Sequence, residues 1–153
     1  MKFIADTMLG RLARWLRICG YDVVYSNTAT DDEILRIALK EKRYLLTRDN
    51  LLYWRAGKWG ALVPSSDIKE QLTWVEQHFS CKLEVKYTRC PVCNEQVVPV
   101  KLEDVEEKIP PKVKQFAKEF WMCPKCKRIY WEGSHRQKAE LFLKKAKNKE
   151  KKK

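Results

Sequence analysis

The chain has no long uninterrupted apolar run, and this excludes a helix spanning a bilayer, which needs about 20 mostly apolar residues in succession. It also lacks a strongly amphipathic basic helix with an unbroken apolar face, which argues against residence on an anionic membrane surface. Nothing at the N-terminus reads as a secretory signal, because Asp6 interrupts the short apolar start and Arg11, Arg14 and Arg17 follow closely. We therefore expect a cytoplasmic protein in a reducing compartment, where disulfides are rare. Histidine is scarce, with two in 153 residues. His78 reads as ordinary helix surface. His135, in Gly133-Ser134-His135, reads either as a phosphate contact or acid, or as a surface residue satisfied by backbone.

Acids are in deficit: 20 Asp and Glu stand against 32 Lys and Arg, a formal net charge of +12. Such an excess points to a polyanionic partner, nucleic acid first. The charge is unevenly placed, since residues 1–80 carry a net of +2 and residues 81–153 a net of +10. Together with the length, this predicts two small domains and a tail: an α/β domain over 1–84, a metal-binding unit over 85–137, and a lysine-rich segment over 138–153. That last segment reads either as a solvated, fraying helix end or as an electrostatic arm for phosphates.

What the second half does have is cysteine in pairs. Cys90-Pro91-Val92-Cys93 and Cys123-Pro124-Lys125-Cys126 are separated by 29 residues. Two residues between cysteines let one tight turn aim both sulfurs at one ion, and four thiolates complete a tetrahedral zinc site with no open position. The pattern therefore predicts a structural zinc ribbon. Two disulfides, or iron in a four-thiolate site, are the competing readings. Cys19 and Cys81 fall outside the pairs and read as small buried residues.

The first half alternates strands and helices. Lys2–Ala5 reads as a strand, a helix follows from about Met8 to Gly20, and Asp22–Tyr25 is a second strand. Thr30 with Glu33 has capping-box spacing and opens a helix whose buried stripe is Ile34, Leu35, Ala38 and Leu39. Tyr44–Leu46 and Ala61–Val63 are further strands, and residues 67–79 a further helix. This order predicts a parallel sheet with crossover helices. Asp6, the pair Asp31 and Asp32, and Asp49 then all fall at the carboxyl ends of strands, where open parallel sheets bind ligands. Acids gathered there would suit a hard divalent cation, Mg²⁺ or Mn²⁺. Asp31, Asp32 and Asp67 also sit where a helix N-terminus favours an acid, and for Asp67 capping is the preferred reading.

Four stretches together resemble the Mut-seven C-terminal ribonuclease-type family: residues 3–17, Asp31-Asp32-Glu33-Ile34-Leu35, Leu45-Leu46-Thr47-Arg48-Asp49, and the two cysteine knuckles followed by Tyr130-Trp131-Glu132-Gly133-Ser134-His135. The resemblance implies a PIN-like nuclease domain, an α/β/α parallel-sheet fold, fused to a zinc ribbon. It implies that Asp6, Asp31 and Asp49 are acidic metal-binding and catalytic positions, with Asp32 an adjacent candidate. The chemistry would be metal-assisted phosphodiester hydrolysis of RNA, with no small-molecule cofactor. Arg11, Arg14 and Arg48 are candidate phosphate contacts, while Arg17 reads as part of a solvated helix face. Trp54, Trp59, Trp121 and Trp131 are candidate stacking platforms or core, Trp74 reads as core, and Tyr130 with Trp131 as a cover for the zinc site. A second reading is a non-catalytic zinc-ribbon protein that binds RNA, ribosomal RNA among the possible partners.

Overall fold

Each short strand of the first half is apolar on both sides, and a strand of that kind is stable only where helices cover both faces of the sheet. The computed structural model, which describes residues 1–151, has this arrangement. Strands β1 (Lys2–Ala5), β2 (Asp22–Val24), β3 (Tyr44–Thr47) and β4 (Gly60–Leu62) form one sheet in the order β2-β1-β3-β4, every pair parallel. Phe3 stands opposite Val23 on one side and Tyr44 on the other.

Alternation along the strands sorts the two faces. Phe3, Ala5, Val23 and Leu46 pack with Leu12, Ala13 and Leu16 of helix α1 (Gly10–Ile18) and with Leu72 and Val75 of α4 (Ile68–His78). Ile4 and Leu45 face the other way, against Ile34 and Ala38 of α2 (Asp31–Glu41) and Leu52 and Ala56 of α3 (Asn50–Ala56). A leucine of this kind, fully buried, contributes about 1.5–3 kcal/mol of transfer free energy.

Local signals set the boundaries. Gly20, at φ 90°, ends α1, with its N–H bonded to Arg17 O and the Tyr21 N–H to Leu16 O, the double closure a Schellman turn makes. At α2 the Thr30 hydroxyl accepts from the Glu33 N–H while the Glu33 carboxylate accepts from the Thr30 N–H, the reciprocal box the sequence predicts. The differences are small but real. The helix expected from Met8 begins as a 3₁₀ turn (Thr7–Leu9), and α1 starts at Gly10. Helix α3 was not anticipated: its seven residues bury two side chains, too few to show a period.

The second half builds a three-stranded antiparallel sheet from β5 (Val98–Val100), β6 (Phe120–Met122) and β7 (Ile129–Trp131). Two short helices, α5 (Leu102–Val105) and α6 (Pro111–Phe116), cover a small core of Val105, Ile109 and Phe120. The last helix, α7 (Ser134–Lys151), packs back on α4 of the first half. Its Ala139 and Leu143 join the main core, and Phe142 stacks on Trp15 with ring centroids 4.6 Å apart. The lysine-rich segment is thus anchored rather than wholly solvated: Lys147 pairs with Glu76 at 3.1 Å and donates to Leu83 O at 3.0 Å. Lys152 and Lys153 lie outside the described residues.

Candidate metal centre and acidic edge

The two cysteine turns are built alike. In the first, the Cys90 N–H bonds to Glu95 O and the Asn94 N–H returns to Cys90 O; in the second, the Cys123 N–H bonds to Arg128 O and the Lys127 N–H returns to Cys123 O. Asn94 and Lys127, the fifth residue of each turn, both have left-handed backbones, at φ 67° and 65°. A lysine there costs about 1 kcal/mol, which the closed turn offsets.

These turns bring the Sγ atoms of Cys90, Cys93, Cys123 and Cys126 within 4.8 Å of one another. Zn–S bonds of about 2.3 Å in a tetrahedron require sulfurs about 3.8 Å apart, and Cys90 and Cys126 stand at 3.7 Å. The group fits one zinc ion, and all six cysteines of the chain are free thiols. Burial and the neighbouring sulfurs push the Cys93 thiol up to about 12. Cys126 goes the other way: burial opposes ionisation, but hydrogen bonds from Arg128 and the adjacent cysteines bring it down to about 6. Four thiols this close cannot all ionise unless a cation replaces their protons, which is the condition a thiolate metal site meets. The Tyr130 hydroxyl on β7 lies 3.1 Å from Cys90 Sγ, so Tyr130 borders the cluster as expected, whereas Trp131 packs with Phe120 in the small core. Cys19 is buried in the main core, its thiol pushed up to about 12 by burial, and Cys81 contacts Val75 O. Neither reaches the cluster.

Because all four strands of the first sheet are parallel, their carboxyl ends lie along one edge, and Asp6, Thr47 and Asp49 fall there. Asp6 is 5% exposed, and its carboxylate accepts the Thr7 N–H at 2.6 Å and the Thr47 hydroxyl at 2.9 Å. The Thr47 hydroxyl in turn accepts the Asp49 N–H at 3.0 Å. Asp49 is exposed and caps α3 through the Leu52 N–H at 2.9 Å. Asp31 and Asp32 open α2, both exposed; Asp32 pairs with Arg55 of α3 at 2.6 Å. Asp67 caps α4 through the Glu70 N–H, as expected of it. Among the described residues the acids form no second group of ligand atoms like that of the cysteines.

The arginines divide. Arg11 and Arg14 are exposed on α1, Arg11 lying 5.9 Å over the Phe142 ring, and Arg48 is exposed beside Asp49. Arg17 overturns its expected place on a solvated face. It is 6% exposed, and it donates to Val23 O at 2.9 Å and to Pro91 O and Val92 O of the first cysteine turn at 3.1 and 3.2 Å. The step of three from Arg11 to Arg14 to Arg17 drifts around the helix, and at its end a carbonyl-rich turn replaces water. Asn94 makes the same junction from the other side, accepting the Val23 N–H at 3.0 Å and donating to the Asp22 carboxylate at 2.8 Å. Neither Thr47 nor Asn94 was singled out in the sequence. A threonine two residues before a strand-end aspartate was the available signal for Thr47. His135 is exposed on the first turn of α7.

The fold and the site define an α/β protein with a four-stranded parallel sheet and a four-cysteine cluster able to hold a metal. Residues 1–143 match the family model described as the Mut7-C RNAse domain. The chain belongs to that family, which suggests a nuclease-like function with RNA as substrate or partner. Comparison with curated proteins and with solved structures gives no match. No helix among the described residues is long and apolar enough to cross a membrane.

Proposed function

We propose that this protein is a divalent-metal-dependent ribonuclease: a PIN-like domain over 1–84 carries the acidic site, a zinc ribbon over 85–137 helps to dock the substrate, and the basic segment from 138 onward adds electrostatic affinity. The observation that carries this reading is the buried carboxylate of Asp6 at the open edge of a parallel sheet, within a chain of the Mut7-C RNAse domain family. A buried carboxylate is costly unless hydrogen bonds compensate it. Asp6 is held by Thr47 and Thr7, which fixes its carboxylate at this edge.

Asp6, Asp31 and Asp49 are the residues that would hold Mg²⁺ or Mn²⁺, with Asp32 drawn away toward Arg55. Carboxylates are the required type, because hard oxygen donors leave room for water and phosphate. The ion, when bound, supplies an activated water and neutralises charge on the phosphate. The Thr47 hydroxyl donates to the Asp6 carboxylate and accepts the Asp49 backbone N–H, so one side chain ties the Asp6 carboxylate to the backbone that carries Asp49. Arg11, exposed on α1, and Arg48, exposed in the link between β3 and α3, would hold flanking phosphates. Zinc at the cysteines would be structural, since four thiolates leave no open position. The test is cleavage of RNA by the purified protein with Mn²⁺ or Mg²⁺ and the loss of cleavage in Asp6→Asn and Asp49→Asn. Intact RNA in every arm, with RNA binding retained, would replace the enzyme by a non-catalytic RNA-binding protein.

A further inference from the structure

A cleft of about 430 Å³ opens where α1, the first cysteine turn, β7 and the start of α7 meet, apart from the acidic edge. Arg14, Arg128, His135 and Arg136 line it, and no carboxylate of the described residues does. Arg136 is tied down by Glu132 at 3.4 Å and Glu140 at 3.2 Å, and it donates to Val85 O at 3.3 Å, so it is a fixed wall of the cleft more than a free cation. Arg128 lies beside Cys126. Arg14 and His135 are exposed and have no carboxylate partner among the described residues.

Aromatic rings form the other part of the lining. Tyr87 and Tyr130 stack with centroids 6.1 Å apart and planes 29° apart, and Trp131 follows on β7. The same three rings line a second hollow of about 310 Å³ that continues past them to Trp121. Sharing Tyr87, Tyr130, Trp131 and Arg136 in their walls, the two hollows adjoin as one path, cationic at the α1 end, aromatic along the middle and bordered by Glu119 and Glu132 beyond the rings. Helix α1 starts just past Asp6 and carries Arg14 to this path.

We infer that this path is a binding groove for a single strand of nucleic acid, with Arg14, Arg128 and His135 on the phosphates and the Tyr87–Tyr130–Trp131 surface beneath one or more unpaired bases. A cationic track beside sequence-tolerant stacking platforms is the chemistry of single-strand binding, and a duplex, with its bases already stacked, cannot use the platform. The inference rests on the proposed RNA substrate, but it concerns a surface distinct from the acidic edge. It makes the junction of the two halves a substrate site: α1 and the cysteine unit each supply one wall.

The experiment is fluorescence anisotropy of a labelled 12-nucleotide uridine oligomer with the zinc-loaded full-length protein, no Mg²⁺ or Mn²⁺ added, over a salt series. Arg14→Glu and His135→Glu, both at exposed positions and checked for zinc content and helicity, are each expected to weaken binding about tenfold and to lower the salt slope by about one. Arg36→Glu, the same reversal as Arg14→Glu but on α2 across the sheet, is expected to change affinity less than twofold. A duplex of equal length should bind at least tenfold more weakly than the single strand. A matching thymidine oligomer tells whether DNA is accepted, and loss with Arg14→Glu on either strand supports the groove. Equal losses in all three variants, no loss in the groove variants, or equal affinity for duplex would overturn it. RNA cleavage by the same variants separates the two proposals: metal-dependent cutting with wild-type affinity in Arg14→Glu and His135→Glu removes the groove and leaves the nuclease standing.

Discussion

Thr47 holds Asp6 and positions Asp49: its hydroxyl donates to the Asp6 carboxylate at 2.9 Å and accepts the Asp49 N–H at 3.0 Å. Thr47 itself is fully buried. Thr47→Val keeps the shape, leaves one carboxylate oxygen and one N–H short of a partner, and should cost about 1–3 kcal/mol in urea unfolding. Thr47→Ser should restore most of it. A Val variant as stable as the wild type would show that the hydroxyl is dispensable.

The cysteine cluster should hold one zinc ion per chain. Apparent binding energies of about 10–16 kcal/mol in zinc-finger peptides set the scale for what removal costs. Because Arg17 and Asn94 bind the first cysteine turn to α1 and β2, Cys123→Ser should lower the melting temperature of the whole chain, not of its second half alone. Elemental analysis and calorimetry check this. Two separate transitions, with the first-half transition unmoved, would show that the halves fold independently.

Arg17→Met removes a buried guanidinium that serves three carbonyls. Hydrogen bonds to charged groups contribute about 1.5–3 kcal/mol each, not additively, so we expect a loss of about 3 kcal/mol or more. Arg17→Lys should not rescue it, since a point ammonium cannot reproduce the planar fork. Full stability of Arg17→Lys in denaturant titration would refute the fork argument.

Much of the first sheet was legible because its cues are local. The Thr30–Glu33 box, the stop at Gly20 and the cap at Asp67 depend on residues within one turn of each other, and each appears where its spacing puts it. The cysteine pairs were legible for the same reason. The rest depended on distant partners. Arg17 is buried because of carbonyls 74 and 75 residues away, and nothing in residues 10–18 announces them. In α7 the buried Ala139, Leu143 and Ala146 do keep helical spacing, but the lysines between them dilute the signal that the segment docks. At the acidic edge the sequence places Asp6 and Asp49 at strand ends but is silent on Thr47 between them.

Acid should test the other end of the sheet. Burial opposes ionisation of Asp22, but hydrogen bonds from Arg43 and Asn94 outweigh it and hold the carboxyl below its ordinary range. Arg43 is itself buried and also donates to Phe3 O. A carboxyl whose value is depressed by folding stabilises fully above its unfolded value, near 4, and loses that contribution as pH falls through the lower folded value. Asp22→Asn should therefore be less stable than wild type at pH 7, with the gap closing in acid below about pH 4. A gap that stays constant across this range would contradict the assignment.

The most direct measurement is metal-dependent cutting at the acidic edge. With purified protein and labelled single-stranded RNA, Mn²⁺ or Mg²⁺ should support cleavage, and Asp6→Asn and Asp49→Asn should each lower the rate by orders of magnitude. Asn caps a helix nearly as well as Asp, so Asp49→Asn should keep α3 and cost at most about 1 kcal/mol of stability. Asp31→Asn should follow Asp6→Asn and Asp49→Asn, whereas Asp32→Asn, which breaks an exposed pair with Arg55, should behave like wild type. Cleavage at the wild-type rate in Asp6→Asn and Asp49→Asn, or none by the wild type with either metal, would contradict a nuclease site at this edge.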